Sequence, residues 1–161
     1  MNPQHSPDWK GCPPRVRSIV IIDDSEVARR QFRELIEKEF PKLEVRTYKS
    51  IFETYQNFRT FDYMIIDVSS VAPMMMSDVQ NAWAPIAKFM EHYQGTDIII
   101  HSAMSRSGTQ EVIEDVQKAT DRPERVHYGG IGTWEPMRAK LHELIKPEDM
   151  EWTKVKSKRN K

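Results

Sequence analysis

Residues 18–40 read SIVIIDDSEVARRQFRELIEKEF, and Pro41 follows. The run Ser18-Ile19-Val20-Ile21-Ile22 is apolar without alternation and mostly β-branched, the pattern of a strand buried on both faces. From Ser25 the period becomes helical, with Ala28, Phe32, Leu35, Ile36 and Phe40 on one side. Proline cannot continue a helix, so Pro41 ends it. A doubly buried strand that passes into an amphipathic helix is the first half of a βαβ unit. Asp23 and Asp24 stand between the two, at the carboxyl end of the strand.

The alternation repeats downstream. Leu43 to Tyr48 alternates as a half-buried strand does, and Ile51 to Phe58 has the spacing of a short helix. Tyr63-Met64-Ile65-Ile66 is a second buried strand, ending at Asp67, and a loop through Pro73 and Met74-Met75-Met76 follows. Val79, Trp83, Ile86, Met90 and Tyr93 form a helical stripe, within which Pro85 demands a kink or a start near Ala84. Asp97 to His101 is a third buried strand, and His101 at its end reads as a packed or hydrogen-bonded residue. Ser107-Gly108-Thr109-Gln110 has the form of a capping box ahead of Val112, Ile113 and Val116. Arg125 to Tyr128 is a short fifth strand, and Gly129-Gly130-Ile131-Gly132 reads as a tight turn into a last helix bearing Met137, Leu141, Leu144 and Ile145. Five strands alternating with five helices predict an α/β fold. The expected form is a doubly wound, flavodoxin-like parallel sheet in the order 2-1-3-4-5, with helices on both faces. In such sheets the site lies beyond the carboxyl ends of the strands.

Composition narrows the class. The chain has 161 residues, of which 24 are Lys or Arg and 24 are Asp or Glu, for a net charge of zero. That balance argues against a nucleic-acid binder, the basic tail being the one stretch suited to such contact. A single cysteine, Cys12, excludes an internal disulfide and a multi-cysteine zinc site. No apolar run reaches the ~20 residues of a membrane span, and prolines stand where a signal peptide would be apolar, so a cytoplasmic protein is expected. Residues 1–16 hold four prolines and read as a flexible arm. Residues 17–146 form the expected domain, and residues 147–161 a basic tail with five cationic residues among the last eight.

Three carboxylates, Asp23, Asp24 and Asp67, and the hydroxyl of Ser102 fall at strand ends. Acids held this close repel unless a cation neutralises them. A hard ion such as Mg²⁺ takes one or two carboxylates, waters and a phosphoryl oxygen. A carboxylate beside such an ion can act as a phosphoryl nucleophile.

These residues resemble the receiver domain of response regulators. IVIIDDSEVARRQFRELI is similar to its first strand and helix, FDYMIID to its third strand, and IIIHSA to its fourth, over roughly residues 17–146. The resemblance implies that Asp67 accepts a phosphoryl group from a histidine kinase or phosphotransfer protein. It implies metal ligation by Asp23, Asp24, Asp67 and the carbonyl of Ser69, and a responding hydroxyl at Ser102. The family's lysine at the end of the fifth strand is missing. Gly129 or Ile131 takes its place according to register, and Arg106 is the candidate substitute.

The expected function is therefore a single-domain receiver that signals to a downstream protein. It would be no enzyme beyond self-catalysed phosphorylation and dephosphorylation of Asp67. The alternative is a pseudo-receiver adaptor that docks partners without phosphorylation. A haloacid-dehalogenase-type phosphatase needs a second Asp two residues after the nucleophile, where this chain has Ser69. The sequence leaves a homodimer open.

Overall fold

The structure, a computed structural model, describes residues 17–57, 60–68, 83–102, 106–131 and 134–145. The arm 1–16, the Met74–Met76 loop, Ser69, Thr133 and the basic tail lie outside the described residues.

Five parallel strands form one sheet: β1 (Ser18–Ile22), β2 (Glu44–Tyr48), β3 (Tyr63–Asp67), β4 (Asp97–Ser102) and β5 (Val126–Ile131). Their order is β2-β1-β3-β4-β5, as expected. The helices are α1 (Glu26–Glu39), α2 (Phe52–Asn57), α3 (Trp83–His92), α4 (Arg106–Ala119) and α5 (Trp134–Leu144). None of the described helices is long and apolar enough to cross a membrane.

The sheet is buried on both faces because successive side chains of each central strand enter opposite layers. Ile19, Ile21, Ile65 and Ile99 pack with Ile36 of α1, with Phe40 that follows it, and with Met137 and Leu141 of α5. Val20, Ile22, Ile66, Ile98 and Ile100 pack with Phe89 and Met90 of α3 and with Val112 and Val116 of α4. At the edge, β2 buries Val45 and leaves Glu44 exposed, which accounts for its alternating sequence. Opposite the site, buried Asp62 ties the sheet together: it accepts from the Ser18 amide at 2.8 Å and from Arg17 Nη1 at 3.2 Å.

The amphipathic stripe of α1 divides along its length. Ile36 and Phe40 are fully covered, whereas Ala28, Phe32 and Leu35 are half-buried and border a cavity. Ser25 caps this helix by accepting from the Ala28 amide at 3.2 Å. Pro85 falls in the first turn of α3, where no intrahelical donor is lost and no kink is needed.

Two local expectations are corrected. Helix α4 begins at Arg106, so Ser107 lies inside its first turn and not ahead of it. The glycines after Tyr128 are not a turn. Strand β5 continues through Gly129 and Gly130 to Ile131, with a register irregularity opposite Ile100–Ser102. Gly129 is required by close approach, since a Cβ there would stand 2.6 Å from Ile99 Cγ2 and 2.7 Å from Met137 Cε. Gly130 adopts φ +89°, a conformation open to glycine, and lies against Pro136.

Candidate metal and phosphoryl site

Ile22 of β1 and Ile66 of β3 are register partners, so Asp23 and Asp67 leave the sheet side by side. Asp24 follows at the start of the loop into α1. One carboxylate oxygen from each of Asp23, Asp24 and Asp67 lies within 4.8 Å of the others. Asp23 and Asp67 are buried and Asp24 is exposed.

The loop geometry holds Asp23 from several sides. Its amide donates to the Tyr48 carbonyl at 3.2 Å, and its Oδ1 accepts from the Ser25 amide at 2.9 Å. Arg29 Nη1 donates to its backbone carbonyl at 2.7 Å. The Ser25 bond favours the ionised carboxyl, but burial outweighs it, and Asp67 and Asp24 add like-charge repulsion. The result is a pKa raised from 3.8 to about 6.

The donor set is three carboxylates, hard oxygen ligands that suit Mg²⁺ or Ca²⁺. Asp23 is also buried against two like charges, Asp67 and Asp24, whose repulsion a bound cation would offset. On both counts the residues present fit a divalent cation.

Beside the acids is a cavity of about 260 Å³, bordered by Asp23, Asp67, His101, Phe32, Gln31 and Trp134. His101 is the β4 register partner of Asp67. Its ring lies edge-on to Phe32 with centroids 5.2 Å apart. Burial lowers its pKa and the Asp67 charge opposes that shift. Its Nε2 is buried and has no hydrogen-bond partner among the described residues.

Of the residues expected at the site, Asp23, Asp24 and Asp67 come together. Ser102 ends β4, the strand next to β3, and Arg106 opens α4, but the described structure does not include their side chains. Ser69 lies outside the described residues. Two further groups were missed. Arg29 gave no signal, being one of many charges on α1. His101 did: it is the one ionisable side chain in the IIIHS stretch, at a position whose alternation matches Asp67.

No family model and no curated protein matches the sequence. Solved structures do. A response regulator from Burkholderia pseudomallei, carrying a phosphorylated aspartic acid, a calcium ion and citrate, aligns with TM-score 0.55 at 13% identity, over 89% of this chain and 72% of that one. The response regulator TrrA from Thermotoga maritima, in complex with Mg²⁺ and BeF, aligns with TM-score 0.55 at 18% identity, over 80% and 99%. A chain of the complex between histidine kinase ThkA and TrrA aligns with TM-score 0.58 at 17% identity, over 81% and 99%.

The fold is that of response-regulator receivers. Identities this low mark a divergent example of the receiver fold. Its strand order and the carboxylates at the ends of β1 and β3 agree with the resemblance read from the sequence.

Proposed function

We propose that residues 17–146 act as a receiver that takes a phosphoryl group onto Asp67 in a Mg²⁺-dependent reaction. The observation that carries this reading is the carboxylate trio, held within 4.8 Å at the ends of β1 and β3. The domain proposed for this role spans residues 17–146, between the proline-rich arm 1–16 and the basic tail 147–161.

Asp23, Asp24, Asp67 and the carbonyl of Ser69 would hold the cation. A bound Mg²⁺ supplies charge neutralisation and orientation of phosphoryl oxygens. The remaining work falls to the chain. An Asp67 carboxylate oxygen attacks the phosphorus of an N-phosphorylated imidazole on the partner. A P–O bond forms as the P–N bond breaks, and the electron pair leaves with the imidazole nitrogen, which takes a proton from solvent. Asp23 accepts from the Ser25 amide, a bond that favours its ionised form against the burial that opposes it. Ser102 and Arg106 complete the proposed set, as hydroxyl and guanidinium donors to the transferred group. The partner implied is a cytoplasmic histidine kinase or phosphotransfer protein, and the output is contact with a downstream protein.

One observation favours a second reading, an adaptor that docks without phosphorylation: β5 reads VHYGGI and carries no lysine. Intact mass after treatment with acetyl phosphate and Mg²⁺ separates the two. The receiver reading expects a base-labile phosphoryl adduct that Asp67→Asn abolishes. Absence of the adduct in the wild type favours the adaptor.

A further inference from the structure

A phosphoryl group on Asp67 would bring charge into the cavity between β3, β4 and α1. Negative oxygens in a partly closed site need donors. Lysine and arginine are absent from the described residues that border the cavity. Three bordering side chains carry nitrogen donors. Gln31 is exposed on α1, Trp134 is half-buried on α5, and His101 is buried beside Asp67, at 5% exposure.

Its register place beside Asp67 and the state of its Nε2 single out His101. Its Nε2 is buried without a hydrogen-bond partner among the described residues, a state native proteins seldom tolerate without a role. Gly129 of the neighbouring strand leaves that side open: a Cβ at 129 would reach His101 Cβ at 3.4 Å, an ordinary contact, while clashing with Ile99 and Met137. With glycine there, β5 presents no side chain at that point, and His101 of β4 is the register partner of Asp67.

We propose that His101 is the buried donor to the phosphoryl group on Asp67, its Nε2–H hydrogen-bonding a phosphoryl oxygen across the cavity. The proposal rests on the receiver reading. It gives the missing β5 cation a replacement built from the adjacent strand, with a neutral donor in place of a charged one. His101 is thereby distinct from the three carboxylates of the proposed ion site.

The test uses the full chain with Mg²⁺ and beryllofluoride, a phosphoryl mimic, and Asp67→Asn as the control that cannot take it. His101→Leu removes the donor, and His101→Gln keeps a terminal N–H near the place of Nε2. Hydrogen bonds to charged groups predict that His101→Leu weakens beryllofluoride binding by roughly tenfold to a hundredfold. His101→Gln should stay within about threefold of wild type, as the better part of one such bond is retained. In ¹⁵N-labelled wild type, the His101 Nε2 resonance should shift on beryllofluoride addition and not on Mg²⁺ alone. Wild-type affinity in His101→Leu, equal losses in Leu and Gln variants, or an unmoved Nε2 resonance each overturn the assignment. If His101→Leu fails to fold, the Gln variant and the wild-type resonance decide. If the wild type binds no more beryllofluoride than Asp67→Asn, the receiver reading itself fails and the assignment falls with it. Binding in the wild type that ignores His101 overturns the assignment alone.

Discussion

Asp23 sits in surroundings that oppose its charge. It is 4% exposed and faces Asp67 and Asp24, and its pKa is raised to about 6 from 3.8. The native state therefore binds the Asp23 proton more tightly than the unfolded chain does. Stability falls where native protein holds more protons than unfolded, which here is the interval from about pH 4 to about pH 6. Without divalent cation, the melting temperature should drop as pH rises through that interval, and Asp23→Asn should flatten the drop. The asparagine keeps an oxygen for the Ser25 amide. It should stabilise the metal-free protein at pH 7.5 by on the order of 1–2 kcal/mol, well below the full desolvation cost because solvent reaches the cluster through Asp24. A melting temperature that rises from pH 4 to 6 would show that another group dominates. His101 illustrates the limit of reading residues singly: its place in IIIHS was plain, but Phe32 and Asp67, which lie beside it in the fold, are far from it in sequence.

At the scale of elements, β5 and the β1–β3 junction carry opposite lessons. Gly129→Ala puts a methyl group 2.6 Å from Ile99 Cγ2 on the next strand. Overpacking of this kind should cost about 1–3 kcal/mol in a urea melt. Gly95→Ala, with nothing within 4 Å of the added carbon, should change stability by less than about 0.5 kcal/mol. Equal effects of the two would mean that Met137 and Ile99 yield freely. Asp62→Ala leaves the buried Ser18 amide without its 2.8 Å acceptor at the head of β1. Loss of about 1–3 kcal/mol is expected by chemical denaturation. Strand and helix spans were largely legible here, because a doubly buried strand must be apolar at every residue and a covering helix must repeat its apolar face. The end of β5 was not. Gly129 and Gly130 carry the local signature of a turn, yet they run on as strand, Gly129 close against Ile99 and Met137 and Gly130 against Pro136.

For the whole molecule, cation binding and folding are linked. An ion bound by the folded carboxylate trio, and not by the unfolded chain, stabilises by mass action. Millimolar Mg²⁺ should raise the melting temperature at pH 7.5 and do so less at pH 5.5, because the ion competes with the proton on Asp23. Asp24→Asn should reduce the Mg²⁺ gain while leaving the sheet intact by circular dichroism. An unchanged Mg²⁺ response in that variant would place the ion elsewhere.

The order of periods along the chain determined the class of fold. Contiguous β-branched runs alternating with amphipathic helices leave little but a parallel sheet covered on both sides, and the acids at the ends of those runs had to emerge on one edge. Those conclusions depend on residue type and spacing alone. The environment of the site depends on distance through space. Only the tertiary structure decided that Asp23 would be buried against two like charges, that the upper half of the α1 stripe would border a cavity and not a closed core, and that β5 would pass so near β4 that glycine alone fits at 129. Each follows from how residues far apart in sequence meet, and burial, repulsion and packing are set by that meeting.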